Sequence, residues 1–262
     1  MNWKVRSIIG AVGFVFSIAQ ADIFDFDSLP NGASTNSASV LGSDWEYKIG
    51  NGATAVIAVS NGAVVIPGGA GINTGVNMRV YNTTMQTLND AGNSFHISCD
   101  VQSAIAFANS LWYGIAFNIQ DDGSCYMLRM CTSNDSNTIT ANYISPTGAV
   151  SAGTPGGGNV VSGAGMLAIS SVYHFEVWSD TPGVINYIVT GENLGAGDNK
   201  VEGTIIYNAG STLTNGYAGF YINAGNSNVK FDNLMTVPEP VTIGLMGIAT
   251  AVLFIARRKI KR

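Results

Sequence analysis

The chain has 262 residues, 46% of them apolar and only 11% charged, with 32 glycines and a formal net charge of −5. That length suits one large β-rich domain around a single core, and many glycines among few charges predict short strands joined by turns. Between Asp22 and Thr236 only five residues are basic (Lys48, Arg79, Arg129, Lys200, Lys230) against sixteen acids, a formal −11 that excludes nucleic acid as a partner, because phosphate binding depends on neutralisation by Lys and Arg.

Residues 1–21, "MNWKVRSIIGAVGFVFSIAQA", place Lys4 and Arg6 before an apolar run from Ile8 to Ile18. The run closes on Ala19-Gln20-Ala21, the small-x-small pattern of a site for signal peptidase. A cleaved leader is expected, with the exported chain beginning at Asp22.

From Phe24 onward the apolar period is two. The expected strands, in order, are Phe24–Asp27, Trp45–Ile49, a hairpin in "AVIAVSNGAVVI" turning at Asn61-Gly62, then "SFHISCDV", Leu111–Ile119, Cys125–Met130 and Thr138–Ile144. "SVYHFEVW" and the segment after it form a second hairpin, turning at Thr181-Pro182-Gly183, and Gly203–Tyr207, Gly216–Ile222 and Val229–Met235 complete the set. In "SFHISCDV" Phe95, Ile97, Cys99 and Val101 share one face; in "SVYHFEVW" Tyr173, Phe175 and Val177 oppose His174, Glu176 and Trp178. No amphipathic helix of ordinary length occurs between Asp22 and Thr236, so nothing bridges parallel strands and an antiparallel two-sheet sandwich is predicted. Thr147–Gly165, rich in Gly and Ser, is read as a surface excursion and not a domain boundary.

The residues that carry chemistry in other proteins are sparse. Cys99, Cys125 and Cys131 are an odd set for an oxidising compartment, so at most one intrachain disulfide forms. Cys125 and Cys131 lie about 20 Å apart along one strand, too far to pair, which leaves Cys99 with one of them or three buried thiols. Glu176 and Asp180 are the only carboxylate pair worth testing for glycoside hydrolysis, but positions four apart on a strand are separated by about 13 Å, against about 5 Å for retaining enzymes. No catalytic residue is therefore assigned. Asp121, Asp122 and Asp135 flank the strand of Cys125 and could give oxygen ligands to calcium, with Asp25 and Asp232 as further donors. No other cofactor is expected: His96 and His174 lack zinc spacing, and "TPGGGNVV" lacks the strand and helix context of a phosphate cradle. For sugar stacking the candidates are Trp112, Tyr113 and Trp178, with Tyr221 as a further aromatic.

After the last strand come Pro238-Glu239-Pro240, sixteen uncharged residues from Val241 to Ala256, and the cations Arg257, Arg258, Lys259, Lys261 and Arg262. As a helix the uncharged stretch is about 24 Å long, a marginal membrane span that snorkelling basic stems would extend, with the cations on the cytoplasmic side. These three features in this order resemble the PEP-CTERM sorting signal of exopolysaccharide-producing Gram-negative bacteria. The resemblance implies recognition by an exosortase, an integral-membrane protease acting near the Pro-Glu-Pro triplet, and delivery to the cell surface. The body, through "FDFDSLPNG", "WYGIAFNIQDDGSCYMLRM", "YHFEV" and "GYAGFYINAGNSNVKFDNL", resembles concanavalin-like jelly rolls of the laminin-G type. That resemblance implies first and last strands meeting edge to edge.

The expected organisation is a leader at 1–21, an all-β antiparallel jelly-roll sandwich at 22–236 and a sorting and anchor segment at 237–262. The expected role is structural or carbohydrate-binding at the cell surface or in the extracellular matrix, with exopolysaccharide as ligand. A secreted glycoside hydrolase is the alternative.

Overall fold

The computed structural model describes residues 22–49, 56–66, 76–88, 95–103, 112–131, 138–146, 150–151, 170–181, 184–194, 198–206, 213, 215–224 and 229–238. Sixteen strands and one short helix lie among them: β1 Asp22–Phe24, β2 Gly32–Ser34, α1 Ser37–Leu41, β3 Trp45–Ile49, β4 Ile57–Ser60, β5 Ala63–Ile66, β6 Val76–Leu88, β7 Phe95–Ser103 and β8 Trp112–Ile119. The rest are β9 Cys125–Cys131, β10 Thr138–Ile144, β11 Val150–Ser151, β12 Val172–Thr181, β13 Val184–Thr190, β14 Lys200–Ile206, β15 Asn215–Ala224 and β16 Val229–Pro238.

They form two sheets. The nine-stranded sheet runs β14-β13-β12-β7-β16-β5-β4-β2, with β1 pairing the second half of β16; the seven-stranded sheet runs β11-β10-β9-β8-β15-β6-β3. Every pairing among the described residues is antiparallel, as the lack of crossover helices requires. β1 pairs with β16 at Asp22 opposite Thr236, so the first and last strands do meet edge to edge.

Alternation drives the two sheets together. Phe95, Ile97, Cys99 and Val101 of β7 and Tyr173, Phe175 and Val177 of β12 turn inward against Ile115, Phe117, Tyr126 and Leu128 of the other sheet in one core. An aromatic cluster ties the layers: Phe220 of β15 stacks on Phe231 of β16 at 4.7 Å between ring centroids and on Trp45 of β3 at 5.9 Å, with Phe26 at 6.0 Å. At the predicted Asn61-Gly62 turn both residues have positive φ (51° and 75°), the type I′ geometry that matches strand twist. A Cβ on Gly62 would lie 1.9 Å from Asp27 Oδ1, so glycine is required there twice over.

Several features depart from the sequence reading: the first strand is Asp22–Phe24 and not Phe24–Asp27, and β2 was not among those predicted. β6, the longest strand at thirteen residues, was not among the predicted strands. The last strand continues to Pro238, so the sandwich takes in the first proline of the Pro-Glu-Pro triplet and does not stop at 236. Val150–Ser151 of the Gly-rich stretch is not an excursion but the edge strand β11, pairing with β10 at Tyr143 and Ile144. The rest of Thr147–Gly165, the expected leader 1–21 and residues 239–262 of the expected anchor segment 237–262 lie outside the described residues; among the described residues no helix is long and apolar enough to cross a membrane.

Candidate functional site

The outer face of the seven-stranded sheet departs most from an ordinary solvated sheet. Register brings residues far apart in the chain into one transverse row: Thr140 of β10 pairs with Arg129 of β9, Arg129 with Gly114 of β8, Gly114 with Tyr221 of β15, Tyr221 with Arg79 of β6, and Arg79 with Lys48 of β3. Three of the five cations in the anionic body thus stand in a single line across six strands. On either side of the row lie Trp112, Asn77, Asn142, Met127, Ala116 and Tyr81.

Arg129 is the centre of this face and is only 8% exposed. Its guanidinium lies 4.1 Å from the Trp112 ring centroid and 5.6 Å from that of Tyr221. Nε donates to Asn142 Oδ1 at 3.0 Å and to Thr140 Oγ1 at 3.3 Å, and Nη1 donates to the Tyr221 hydroxyl at 3.0 Å. That hydroxyl donates in turn to Asn77 Oδ1 at 2.6 Å, and Thr140 Oγ1 donates to Asn142 Oδ1 at 2.7 Å. Burial pushes the Tyr221 phenol up to about 12, against the pull of the Arg129 charge, so it remains a neutral bridge. Gly114 lets β8 and β9 approach beneath the cluster: a Cβ there would lie 2.2 Å from the Leu128 carbonyl oxygen.

The other end of the row is closed by the turn between β8 and β9. Gly123, at φ +85°, sits so close over Arg79 that a Cβ would be 2.3 Å from Nη2. Arg79 Nη1 donates to the Asn77 carbonyl at 2.7 Å, while Nε is buried with no partner among the described residues. Asp122 accepts from the backbone N–H and hydroxyl of Ser124, at 2.8 and 2.7 Å. Those two bonds, helped by the Arg79 charge, hold its carboxyl below the usual range. Tyr81 donates to Glu46 at 2.8 Å and stacks on Tyr217. Beside Tyr217 a cavity of 290 Å³ is lined by Gln86, Ile119, Gln120, Asp121, Asn215 and Gly216, a set rich in amide donors and acceptors.

The outer face of the nine-stranded sheet carries a second polar ladder. His174 Nδ1 bonds Asp100 Oδ1 at 2.7 Å, Asn233 donates to the other oxygen of Asp100, and His96 Nε2 lies 2.8 Å from Glu176 Oε1. Trp178 is half-buried beside His96, their rings 6.0 Å apart. A cavity of 320 Å³ at the end of this ladder is lined by Asn61, Asp100, Gln102, Lys230, Asp232 and Asn233. Burial raises the Asp232 carboxyl, and the nearby Asp27, Asp100 and Asp25 raise it further.

These positions correct several sequence expectations. Tyr113 is fully buried in the core and cannot stack on a sugar, because alternation along β8 turns it inward while Trp112 turns outward. Tyr221 is on the candidate face but 0% exposed, serving as a hydrogen-bond bridge and not as a platform. Trp178 is on the opposite sheet from Trp112, so the two do not share a site. Asp121 and Asp122 belong to the turn over Arg79, and Asp135 lies outside the described residues; among those described, no group of three or more His, Cys, Asp or Glu side chains is disposed to hold a metal ion. Cys99 and Cys125 are free buried thiols on different sheets, so they do not pair. The Cys131 side chain lies outside the description. The cationic row escaped the sequence reading because its members are tens of residues apart and only register unites them.

No protein-family model matches the chain, and no curated protein matches it in sequence. Among solved structures, the carbohydrate binding module CBM66 from Bacillus subtilis is similar at TM-score 0.45 and 8% identity, covering 74% of this chain and 96% of its own. Lectin II from Ulex europaeus has TM-score 0.47 and 9% identity, with 83% and 98% covered. Arcelin-5, a lectin-like defense protein from Phaseolus vulgaris, has TM-score 0.47 and 9% identity, with 84% and 98% covered. The fold is defined here by its own strand order and register, an all-β antiparallel sandwich of two sheets.

Proposed function

We propose that this is an exported, non-catalytic sandwich protein of the concanavalin-like jelly-roll kind that binds polysaccharide on the outer face of its seven-stranded sheet. The observation that carries the reading is the register row with its flanks, which puts Arg129, the partly exposed Trp112 and Lys48 and the amides of Asn77 and Asn142 on one face of a body otherwise poor in cations. Aromatic faces cover sugar C–H surfaces and amides meet hydroxyls, the combination that glycan recognition needs. Export is supported by Ala19-Gln20-Ala21 after the apolar leader, and surface sorting by Pro238-Glu239-Pro240, the uncharged segment and the terminal basic cluster. Signal peptidase and an exosortase-type protease are the processing partners on this reading. The precursor is held in the inner membrane before release to the surface.

A polysaccharide panel tests the binding claim. The full chain is expected to retard in affinity gels containing its ligand, and Trp112→Ala to abolish the retardation while the fold persists. Glu176 is engaged with His96 and Asp180 is exposed at the strand end, so no polysaccharide of the panel is expected to yield reducing ends. Retardation unchanged by Trp112→Ala refutes the site, and measurable hydrolysis refutes the absence of catalysis.

A further inference from the structure

Building on that glycan-binding reading, we infer that the ligand is an acidic polysaccharide and that Arg129 takes up its carboxylate. Arg129 is a desolvated cation whose partners among the described residues are all neutral: Thr140, Asn142, Tyr221 and the Trp112 ring. Among the described residues the close contacts between basic and acidic side chains join His96 to Glu176, His174 to Asp100 and Lys200 to Glu202; none involves Arg129 or Arg79. Arg79 at least has the charge of Asp122 near it. Among the described residues no carboxylate pairs with Arg129.

Taking a cation out of water costs free energy that a neutral hydrogen-bonding shell only partly restores, and an arriving carboxylate restores much of the remainder. The protein has already oriented the guanidinium. Nε and Nη1 are committed to Asn142, Thr140 and Tyr221, which leaves Nη2 without a bond among the described residues. The ligand therefore meets a fixed donor, with little side-chain entropy left to lose on binding. Trp112 packs one face of its indole on the guanidinium, and its remaining exposed surface is what a neighbouring sugar ring can meet. Lys48, partly exposed at the far end of the row, adds longer-range attraction for an anionic chain, although the residues between it and Arg129 are buried.

The experiment measures binding of the full chain to polygalacturonate and to the same polymer with its carboxyls reduced to alcohols, by calorimetry at low and high salt. The expected result is at least about tenfold tighter binding to the acidic polymer at low salt, narrowing as salt screens the charges. Arg129→Gln is expected to erase that preference, and Lys48→Gln, a change at a partly exposed position that leaves folding intact, to reduce it. Equal affinity for the two polymers overturns the acidic-ligand inference and leaves the glycan reading standing. Binding to neither polymer, nor to any other glycan of the panel, overturns both. Dextran sulfate or inorganic sulfate bound as tightly as polygalacturonate overturns the assignment of carboxylate as the recognised group. If Arg129→Gln does not fold, the polymer comparison, its salt dependence and Lys48→Gln still decide the matter.

Discussion

Phe220→Ala is the sharpest test of how the two sheets close on each other. The ring is 1% exposed, stacks on Phe231 of the opposite sheet at 4.7 Å, and meets Trp45 and Phe26, themselves buried. Truncating a buried phenylalanine costs about 3–5 kcal/mol in lost burial and cavity, and the closest stacked pair adds about 1 kcal/mol. Against a total stability of about 5–15 kcal/mol this removes a large fraction. For a body of this size each kcal/mol moves the midpoint by about 2–4 °C, so the variant is expected to melt about 10–20 °C lower in calorimetry or circular dichroism. Phe220→Leu, which keeps most of the volume, should lose much less. The neighbouring Tyr221 points to the opposite face of the same strand, so the loosened variant should also weaken the polysaccharide binding proposed for that face. A midpoint within about 3 °C of wild type for Phe220→Ala would refute face-to-face packing at this cluster, since no buried aromatic bridge is that dispensable.

Two further outcomes follow from the geometry. Burial pushes the thiol of Cys99 well up and that of Cys125 to about 12, so neither should react with iodoacetamide at pH 8 in the native protein. Labelling of either at the rate seen in urea would contradict their burial. The bond to Asp100 raises the His174 imidazole, with the Asp100 and Glu176 charges assisting, and the same bond lowers the Asp100 carboxyl. The His174 contribution is therefore complete below its unfolded value of about 6.5 and disappears as pH rises through the higher folded value, whereas that of Asp100 disappears only in acid. Urea midpoints of wild type should fall more between pH 5.5 and 8.5 than those of His174→Gln; parallel curves would show that the pair does nothing for folding.

The strands most legible in the sequence were those with one wet face. β7 and β12 alternate cleanly because His96, Asp100, His174 and Glu176 occupy outward positions beside inward Phe95, Ile97, Tyr173 and Phe175. β6 hid for two reasons. Its outward positions, Arg79 and Tyr81, are buried as deeply as the inward Met78 and Val80, and pairing with β15 shifts register past Asn82, which breaks the period. The same double burial explains Tyr113 and Tyr221, aromatics whose types suggest a sugar platform but whose strand positions decide otherwise. Trp112 was named in the sequence only alongside Tyr113, without a face for either, and its partner Arg129 lay one strand over, with nothing local to mark it.

The placement of β16 has a mechanical consequence. It is flanked along its length by β7 on one side and by β5 and then β1 on the other, and the chain departs from its end at Pro238. A tug on whatever follows Pro238 pulls along an interior strand and must shear the rungs on both flanks together, where an edge strand would peel away rung by rung. Force applied beyond Pro238 is thus carried through the middle of the sheet and not along its rim.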